Sequence, residues 1–264
     1  MTYGESLLLG ALQGITEFLP VSSSGHLILM RNVMELHNIP LLFDVMLHVA
    51  TLFVVLIVFR DRVGRILTAL GRTVTGRRDE EDRENLHLLG IILVSTVITA
   101  AFGLGLQELE WFGNVKAVSL LFIVTGVLLV TTRYARGNVG YGTLGLKHGV
   151  FAGIAQGFGV LPGISRAGAT ISVALLSGMN REKAGEYSFL ISIPAIAGAL
   201  LLELRDTDAL FSSVSPLVMA AGFTGAFIVG LASLLLLLSL VRRGRLYLFS
   251  IYLIPLGIAG LVLL

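Results

Sequence analysis

Cysteine is absent from this chain of 264 residues. Disulfide bonds, thiolate metal ligands and cysteine nucleophiles are therefore excluded. Charged residues are also scarce, at 14% of the chain, whereas hydrophobic residues make up 55%. Together with a mean hydropathy of +0.88, this composition predicts an integral membrane protein and does not fit a soluble one.

Several functional motifs are missing as well. The sequence contains no P-loop, no H-E-x-x-H and no G-x-S-x-G, so nucleotide hydrolysis, zinc proteolysis and α/β-hydrolase chemistry are unsupported. The first residues, Met-Thr-Tyr-Gly-Glu, provide neither a basic region nor a small-residue cleavage site. We therefore expect no cleavable signal peptide.

Long apolar runs are what the sequence has in abundance. Each approaches or exceeds the roughly 20 residues that a helix needs to cross a bilayer. They occupy 43–59, 86–106, 115–132, 187–202, 216–241 and 246–264. Because lipid offers no partner to open backbone groups, and because the runs are continuous rather than alternating, we predict an all-α integral membrane fold and no β-barrel.

The charged residues predict one orientation in the membrane. Arginines are concentrated at 60–83, 133–136 and 242–245, which places these connections in the cytoplasm. The acidic connections at 107–114 and 203–208 then lie outside, as does the C-terminus. The basic pI near 9.1 reflects this topology, and no nucleic-acid partner is expected.

Two apolar segments are interrupted and do not resemble simple spans. Pro20 and a Ser-Ser-Ser-Gly run break 3–36, while Pro162-Gly163 and Gly168 break 147–178. Proline removes a backbone donor and disfavours helix in the residue before it. Each segment is therefore predicted to form a re-entrant hairpin of two half-helices, buried in protein or lining a cavity.

The two hairpins resemble each other, which predicts an internal repeat. Gly10-Ala-Leu-Gln-Gly14 matches Gly153-Ile-Ala-Gln-Gly157, and a Leu-Pro pair follows in both copies. Each hairpin precedes three spans, an odd number, so the second copy is inverted. We predict a single membrane domain, 1–264, with repeats at 1–135 and 145–264 and a site where they meet. A chance match of two Gly/Pro-rich segments is the alternative.

The first hairpin contains the side chains suited to catalysis. Gln13 and Glu17 share one helix face, and the turn lets Glu17 and His26 converge. Ionisable groups at membrane depth are functional-site candidates by default. The alternatives to a catalytic role are that His26 is structural, that Glu17 only pairs with an arginine, and that the serines at 22–24 only cap a helix. For His48, within a span, a supporting role near the site and a structural role both stay open.

The second hairpin contains the groups suited to binding an anion. Ser165 precedes a helix start, and a helix N-terminus attracts anions. The planar guanidinium of Arg166 can contact two phosphate oxygens, or form a salt bridge with Glu17 when the site is empty. Together with the first hairpin, this predicts phosphoryl transfer to water. A divalent cation, Mg²⁺ or Ca²⁺, held by Glu17 and Gln13, would offset phosphate charge.

At these residues the chain closely resembles the undecaprenyl-diphosphate phosphatase family of bacterial membranes, the bacitracin-resistance type. The first family signature is Glu or Gln, three residues, Glu, and then Phe-Leu-Pro-Val-Ser-Ser-x-Gly-His, and it corresponds to 13–26 here. The second, Pro-Gly-x-Ser-Arg-Ser-x-x-Thr, corresponds to 162–170. Gln13 is the less acidic of the two family options, which weakens a metal role there. Ala167 replaces the usual second serine, so no hydroxyl is essential at that position.

The resemblance implies an activity and a role for each matching residue. The family hydrolyses undecaprenyl diphosphate to the monophosphate carrier for cell-wall synthesis. Glu17 would bind metal or act as a base, Ser23 would be a nucleophile or phosphate ligand, and His26 would transfer protons or attack. Arg166 would hold the diphosphate. The nucleophile is Ser23, His26 or activated water. The predicted substrate-binding residues are Gln13, Ser22, Ser24, Gly163, Ser165 and Thr170.

The resemblance also implies an architecture, a location in the membrane and a set of partners. The family has an inverted repeat with two re-entrant hairpins and a site that opens to the outer face of the bacterial inner membrane. An isoprenoid diphosphate and membrane lipids are the expected partners, and a homodimer stays open. The alternative function is a polyprenyl-phosphate transporter or flippase that uses the same midplane site, because opposed hairpins would serve alternating access equally well.

Overall fold

The computed structural model describes residues 1–36, 39, 41–77, 79–106, 114–203 and 215–263. This part of the chain is helical, apart from one isolated β-bridge between Val139 and Met179. The α-helices are α1 (Tyr3–Phe18), α2 (Ser23–Val33), α3 (Leu41–Val58), α4 (Arg60–Val74), α5 (Glu80–Leu106), α6 (Val115–Thr131), α7 (Leu146–Phe158), α8 (Arg166–Leu176), α9 (Arg181–Glu203), α10 (Pro216–Arg242) and α11 (Ser250–Leu263). The predicted all-α membrane fold is confirmed.

The predicted spans correspond to the long helices. Among the described residues, α5, α9, α10 and the segment Leu246–Leu263, which contains α11, are long and apolar enough to cross a bilayer. Helix α6 is apolar and has 17 residues. Helix α3 continues into α4 through a bend of 76°. Most of each acidic connection predicted at 107–114 and 203–208 lies outside the described residues.

Each interrupted segment forms two short helices, α1–α2 and α7–α8. Helices α2 and α8 have 11 residues each, or about 16 Å, which is about half of a bilayer core. The breaks follow the sequence signals: α1 ends before the Leu19-Pro20 pair, and Ser22 and Ser165 occupy the N-cap positions of α2 and α8. Their entry from opposite sides of the membrane stays a prediction.

Helix α4 is a correction to the sequence analysis, which treated the arginine-rich segment after Phe59 as a loop. Its arginines alternate with apolar residues at helical spacing. Ile66 and Ala69 are buried against the protein, while Leu67, Leu70 and Val74 are exposed. A helix with one charged side and exposed apolar residues is typical of the membrane surface. The signal was missed because charge density was given more weight than periodicity.

The arginine-rich end of the molecule is organised around Tyr141. The Arg62 guanidinium lies 4.9 Å from the centroid of the Tyr141 ring, and Lys183 Nζ lies 4.7 Å from it. Arg62 also donates to Glu186 at 2.6 Å. Burial, reinforced by the nearby Glu186 carboxylate, raises the pKa of the Tyr141 hydroxyl, so this tyrosine stays protonated at physiological pH.

Glycines allow the hairpins to pack closely against long helices of the opposite half. A Cβ atom at Gly10 of α1 would lie 2.1 Å from the carbonyl oxygen of Gly222 on α10. A Cβ at Gly153 of α7 would lie 2.7 Å from the carbonyl oxygen of Ser95 on α5. Small residues at such crossings let helix backbones approach each other in membranes. The two glycines are those that the predicted repeat aligns.

The order of these contacts supports the predicted inverted repeat. Contacts advance together along α1 and α10, from Gly10 with Gly222 to Gly14 with Gly230, so these helices run in the same direction. Helices α7 and α5 do the same. Helices α6 and α11 run antiparallel, with Ser119 against Gly260 and Gly126 against Ile254. The repeat and its boundaries at 1–135 and 145–264 remain predictions.

The glycine crossing gives a stability prediction. Gly10→Ala is expected to lower the thermal unfolding midpoint in detergent by several degrees or more, because α1 and α10 must separate to admit the methyl group. Gly4→Ala on the same helix is the matched control, since a Cβ there meets nothing within 4 Å. Equal midpoints for the two variants would contradict the close approach of α1 and α10.

Candidate functional site

A cavity of about 350 Å³ lies where the turns of the two hairpins meet. It is lined by side chains from both hairpins and from the long helices beside them. The lining residues are Thr16, Glu17, Ser22, Ser23, Ser24, His48, Thr99, Gln156, Gly159, Val160, Ile164, Ser165, Arg166, Ala195, Ile196, Ala199 and Leu200. Glu17, Ser23 and Arg166, three of the four predicted catalytic residues, therefore line one cavity.

Glu17 is the centre of the polar network, and both of its carboxylate oxygens are occupied. Oε1 accepts a hydrogen bond from the guanidinium of Arg166 in a salt bridge across the two hairpins. Oε2 accepts from Ser23 Oγ at 2.7 Å and from Gln13 Nε2 at 3.1 Å. The predicted Glu17–Arg166 pair is thus present, and it holds Arg166 beside Ser23.

Gly163, in the turn of the second hairpin, is hydrogen bonded to the turn of the first hairpin and to α6. Its N–H donates to Ser22 Oγ at 3.0 Å, and its carbonyl accepts from Thr125 Oγ1 at 2.9 Å. Thr125 Oγ1 also accepts from the N–H of Ser165 at 3.2 Å. Gly163 has a φ of 103°, and a Cβ there would lie 2.5 Å from the carbonyl oxygen of Val118, so only glycine fits this position.

Two helix N-termini begin at the cavity. Ser23 and Ser24 are the first residues of α2, and Arg166 is the first residue of α8. Ser165 Oγ caps α8 by accepting from the N–H of Gly168 at 3.0 Å. The positive ends of two helix dipoles and one guanidinium therefore point to the same space, which favours an anion such as a phosphate group.

Ser22 adopts an unusual backbone conformation immediately before Ser23. Its φ is 71°, in the left-handed region that non-glycine residues rarely occupy. Its carbonyl oxygen accepts a hydrogen bond from His26 Nδ1 at 2.8 Å, and its side chain caps the N–H of Gly25 at 3.4 Å. Backbone strain of this kind persists where surrounding contacts hold it, commonly at functional sites.

His26 does not line the cavity. Its Nε2 is hydrogen bonded to the hydroxyl of Tyr252 on α11 at 2.8 Å, so both ring nitrogens have protein partners. The ring also packs against Phe122, with 5.0 Å between the ring centroids. The cavity lining therefore includes Glu17 and Ser23 but not the imidazole of His26, and the role predicted for His26 in proton transfer stays a prediction.

The predicted substrate-binding residues divide into two groups. Ser22, Ser24 and Ser165 line the cavity, whereas Gln13, Gly163 and Thr170 lie behind it. Thr170 Oγ1 donates to the carbonyl oxygen of Arg166 at 2.8 Å and is hydrogen bonded to Ser188. These three residues hold the groups that line the cavity rather than facing it themselves.

Four polar residues that the site prediction left out also line the cavity: Thr16, His48, Thr99 and Gln156. Gln156 Nε2 donates to Thr99 Oγ1 at 3.1 Å and to the carbonyl oxygen of Ile191 at 3.2 Å. The signal for Gln156 was present, because it is the counterpart of Gln13 in the aligned repeat. His48 gave no signal of this kind, since it lies in an apolar span outside both signatures.

The residues do not by themselves form a site for a resident divalent cation. Glu17 is the one carboxylate among the described residues that line the cavity, and both of its oxygens are already hydrogen bonded. The described part of the chain contains no cluster of three or more His, Cys, Asp or Glu suited to a metal. The buried Oε1 of Gln13 lacks a partner, but a single neutral oxygen does not complete a ligand set.

The position of the cavity along α9 indicates how far it lies from the arginine-rich surface. Ala195, Ile196, Ala199 and Leu200 line it, and Arg181 begins the same helix. Leu200 lies about 28 Å along the helix axis from Arg181. The cavity therefore lies toward the end of α9 that is remote from the arginine-rich surface.

Comparison with known proteins agrees with this geometry. The sequence profile of the family described as bacitracin resistance protein BacA matches residues 6–259. An undecaprenyl-diphosphatase from Treponema denticola is 42% identical over 98% of this chain and 96% of its own length. One from Desulfosudis oleivorans is 43% identical over 96% of this chain and 95% of its own length.

The similarity extends to an archaeal relative. The undecaprenyl-diphosphatase from Korarchaeum cryptofilum is 40% identical over 100% of both chains. The family match over 6–259 spans both hairpins and the helices between them. The chain therefore belongs to the bacitracin resistance protein BacA family.

Proposed function

We propose that this protein hydrolyses undecaprenyl diphosphate to undecaprenyl phosphate and inorganic phosphate. The observation that carries the proposal is the hydrogen bond of 2.7 Å from Ser23 Oγ to Glu17, beside Arg166, in a cavity between two helix N-termini. The names of the relatives point to the same reaction. The product would return to cell-wall synthesis as the lipid carrier.

The geometry provides an activated hydroxyl and a group that binds the diphosphate. Glu17 accepts the Ser23 hydrogen bond and can take its proton as Oγ attacks the terminal phosphorus. The bond from that phosphorus to the bridging oxygen breaks, the lipid monophosphate leaves with the proton from Glu17, and the phosphoryl group stays on Ser23 Oγ. Water then attacks the phosphoserine, Glu17 takes the proton of that water and returns it to Ser23 Oγ, and inorganic phosphate is released. In the alternative path, a water molecule beside Ser23 Oγ attacks the terminal phosphorus directly and Glu17 acts as the same base. Either nucleophile fits the geometry better than His26, whose ring nitrogens are both engaged.

Arg166 and the two helix N-termini would stabilise the charge that develops on the phosphoryl oxygens. Substrate binding requires Arg166 to share its guanidinium between Glu17 and a phosphate, which its planar, multiple-donor geometry permits. The Glu17–Arg166 pair thereby connects the base to the group that binds the diphosphate. Its two members come from different hairpins, so the site is complete only when both hairpins are in place.

The long apolar helices place this protein in a membrane as a multi-pass protein. We infer that the membrane is the bacterial inner membrane and that the cavity opens to its outer face. The distance of the cavity from the arginine-rich surface supports this orientation, because arginine-rich surfaces lie on the cytoplasmic side. Membrane lipid would hold the isoprenoid tail while the diphosphate enters the cavity. A homodimer remains an open proposal.

We propose that a divalent cation binds together with the substrate, whose phosphate oxygens supply most of its ligands. Mg²⁺ commonly binds through one or two protein oxygens together with phosphate oxygens. Glu17 would take part from the cavity lining, whereas Gln13, the second residue predicted for this role, lies behind the cavity. Such an ion would neutralise phosphate charge, and it would bind together with the diphosphate rather than before it.

The function is tested with purified protein in detergent, farnesyl diphosphate and Mg²⁺. We expect release of inorganic phosphate together with farnesyl monophosphate, and loss of this release in the Ser23→Ala variant. Addition of EDTA tests the cation. Translocation of a polyprenyl phosphate in liposomes without phosphate release would contradict the proposal and favour the transporter.

A further inference from the structure

His48 is the imidazole that faces the cavity, although neither signature contains it. It lies on α3, two turns inside the first residue of that helix, and it is partly exposed to the cavity. It lines the same cavity as Glu17 and Arg166. Helix α3, which lies outside both hairpins, therefore contributes a polar group to the cavity lining.

The hydrogen bonding of His48 leaves one ring nitrogen free for a ligand. Nδ1 is 2.9 Å from the carbonyl oxygen of Asp44, one turn earlier on the same helix. A carbonyl only accepts, so Nδ1 carries a proton. In the part of the chain that the structure describes, Nε2 has no hydrogen-bond partner, and it is not among the buried unpaired atoms. It is thus accessible from the cavity.

The backbone turn that holds His48 is itself fixed to the first hairpin. Both carboxylate oxygens of Asp44 pair with the guanidinium of Arg31, which lies in the last turn of α2. Helix α2 begins at Ser23, so the same short helix carries the predicted nucleophile and the anchor of the His48 turn. The imidazole is therefore held in a defined position relative to Ser23.

We propose that His48 contacts the diphosphate through Nε2 and acts with Arg166 as a second binding group for the phosphoryl oxygens. This inference rests on the proposed function. The charged groups that line the cavity with His48 are Glu17 from α1 and Arg166 from α8, while α9 contributes only apolar residues to the lining. With both ring nitrogens protonated, Nε2 donates to a phosphoryl oxygen while Nδ1 keeps its hydrogen bond to the Asp44 carbonyl.

The variants distinguish a hydrogen-bond donor from a structural side chain. His48→Leu is expected to lower kcat/KM by about 10²-fold, because one charge-stabilising donor is lost. His48→Gln retains an N–H near the position of Nε2, so we expect it to stay within about tenfold of the parent protein. His87→Gln, at the arginine-rich end where Nε2 meets the Leu144 carbonyl at 2.7 Å, is the matched control and should be unchanged.

A binding measurement separates this inference from the proposed function. A methylene-bridged farnesyl diphosphate cannot be hydrolysed, so its dissociation constant reports contact alone. We expect His48→Leu to weaken its binding by about tenfold or more, without changing the binding of farnesol. In the parent protein the analogue should also protect His48 from diethyl pyrocarbonate, as read by mass spectrometry.

The experiments give different results for failure of the His48 contact and for failure of the proposed hydrolysis. If the analogue neither protects His48 nor binds more weakly to His48→Leu, the contact is refuted, even if hydrolysis is normal. If glutamine is as damaging as leucine while the analogue binds normally, the donor role is refuted. If the parent protein binds the analogue through His48 but releases no phosphate from farnesyl diphosphate, the proposed hydrolysis fails and the contact stands.

Discussion

Arg166→Ala is expected to lower kcat/KM for diphosphate hydrolysis by about 10³-fold while the protein still inserts and elutes as a single species. The substitution removes the guanidinium beside the phosphoryl oxygens, and loss of one preorganised donor typically costs about 10²–10³ in rate. It also leaves the buried Glu17 carboxylate without its charged partner, which disturbs the base as well as the binding group.

Arg166→Lys tests whether the charge of Arg166 is sufficient or its planar guanidinium is needed. Lysine keeps the charge but presents one ammonium group instead of a planar fork, so it cannot hold Glu17 and a phosphate in the same way. We expect an intermediate loss, mainly in KM, measured by phosphate release over a range of farnesyl diphosphate concentrations. Near-normal turnover of Arg166→Ala would exclude Arg166 as the group that holds the diphosphate.

Glu17→Gln is expected to reduce kcat by about 10³-fold, with a smaller effect on KM. The carboxylate is the acceptor for Ser23 at 2.7 Å, and the neutral amide that replaces it is too weak a base to take a proton from an attacking hydroxyl or water. Single-turnover phosphate release measures this chemical step directly. The substitution is nearly isosteric, so the packing of α1 against α10 should persist.

A double variant measures whether the contributions of Glu17 and Ser23 to the hydrolysis rate depend on each other. If the two residues act as one unit, Glu17→Gln combined with Ser23→Ala should be no slower than the slower single variant. Ser24→Ala provides the comparison, because Ser24 lines the cavity without a hydrogen bond to Glu17, and we expect a loss below tenfold. Additive losses for Glu17 and Ser23 would show that the serine does not work through this carboxylate.

The fold class and the breaks in the hairpins followed from local chemistry. Proline at 20 and 162, and serine before each new helix, act within a few residues of their own position. The structure accordingly has helix ends and N-caps at Phe18, Ser22 and Ser165. Helix α4 was missed because its arginines were interpreted as a solvated connection, whereas burial of Ile66 and Ala69 against the protein stabilises it as a helix.

Within one helix, the spacing of residues in the sequence also predicted correctly which side chains interact. Gln13 and Glu17, four residues apart, form a hydrogen bond of 3.1 Å, because residues at this spacing share a face. The pairing of Glu17 with Arg166 was anticipated as one of two readings, since a buried carboxylate in apolar sequence requires a partner. Which partner it has depends on the second hairpin, 149 positions along the chain.

By itself, the sequence determined that this is an all-α membrane protein with two broken helical segments and a polar set that includes Glu17, Ser23 and Arg166. Only the tertiary structure decided which imidazole lines the cavity. His26 is directed to Tyr252, and His48 lines the cavity. The physical reason is that propensity and periodicity act along one helix, whereas the choice between two histidines depends on how separate helices pack and rotate against each other.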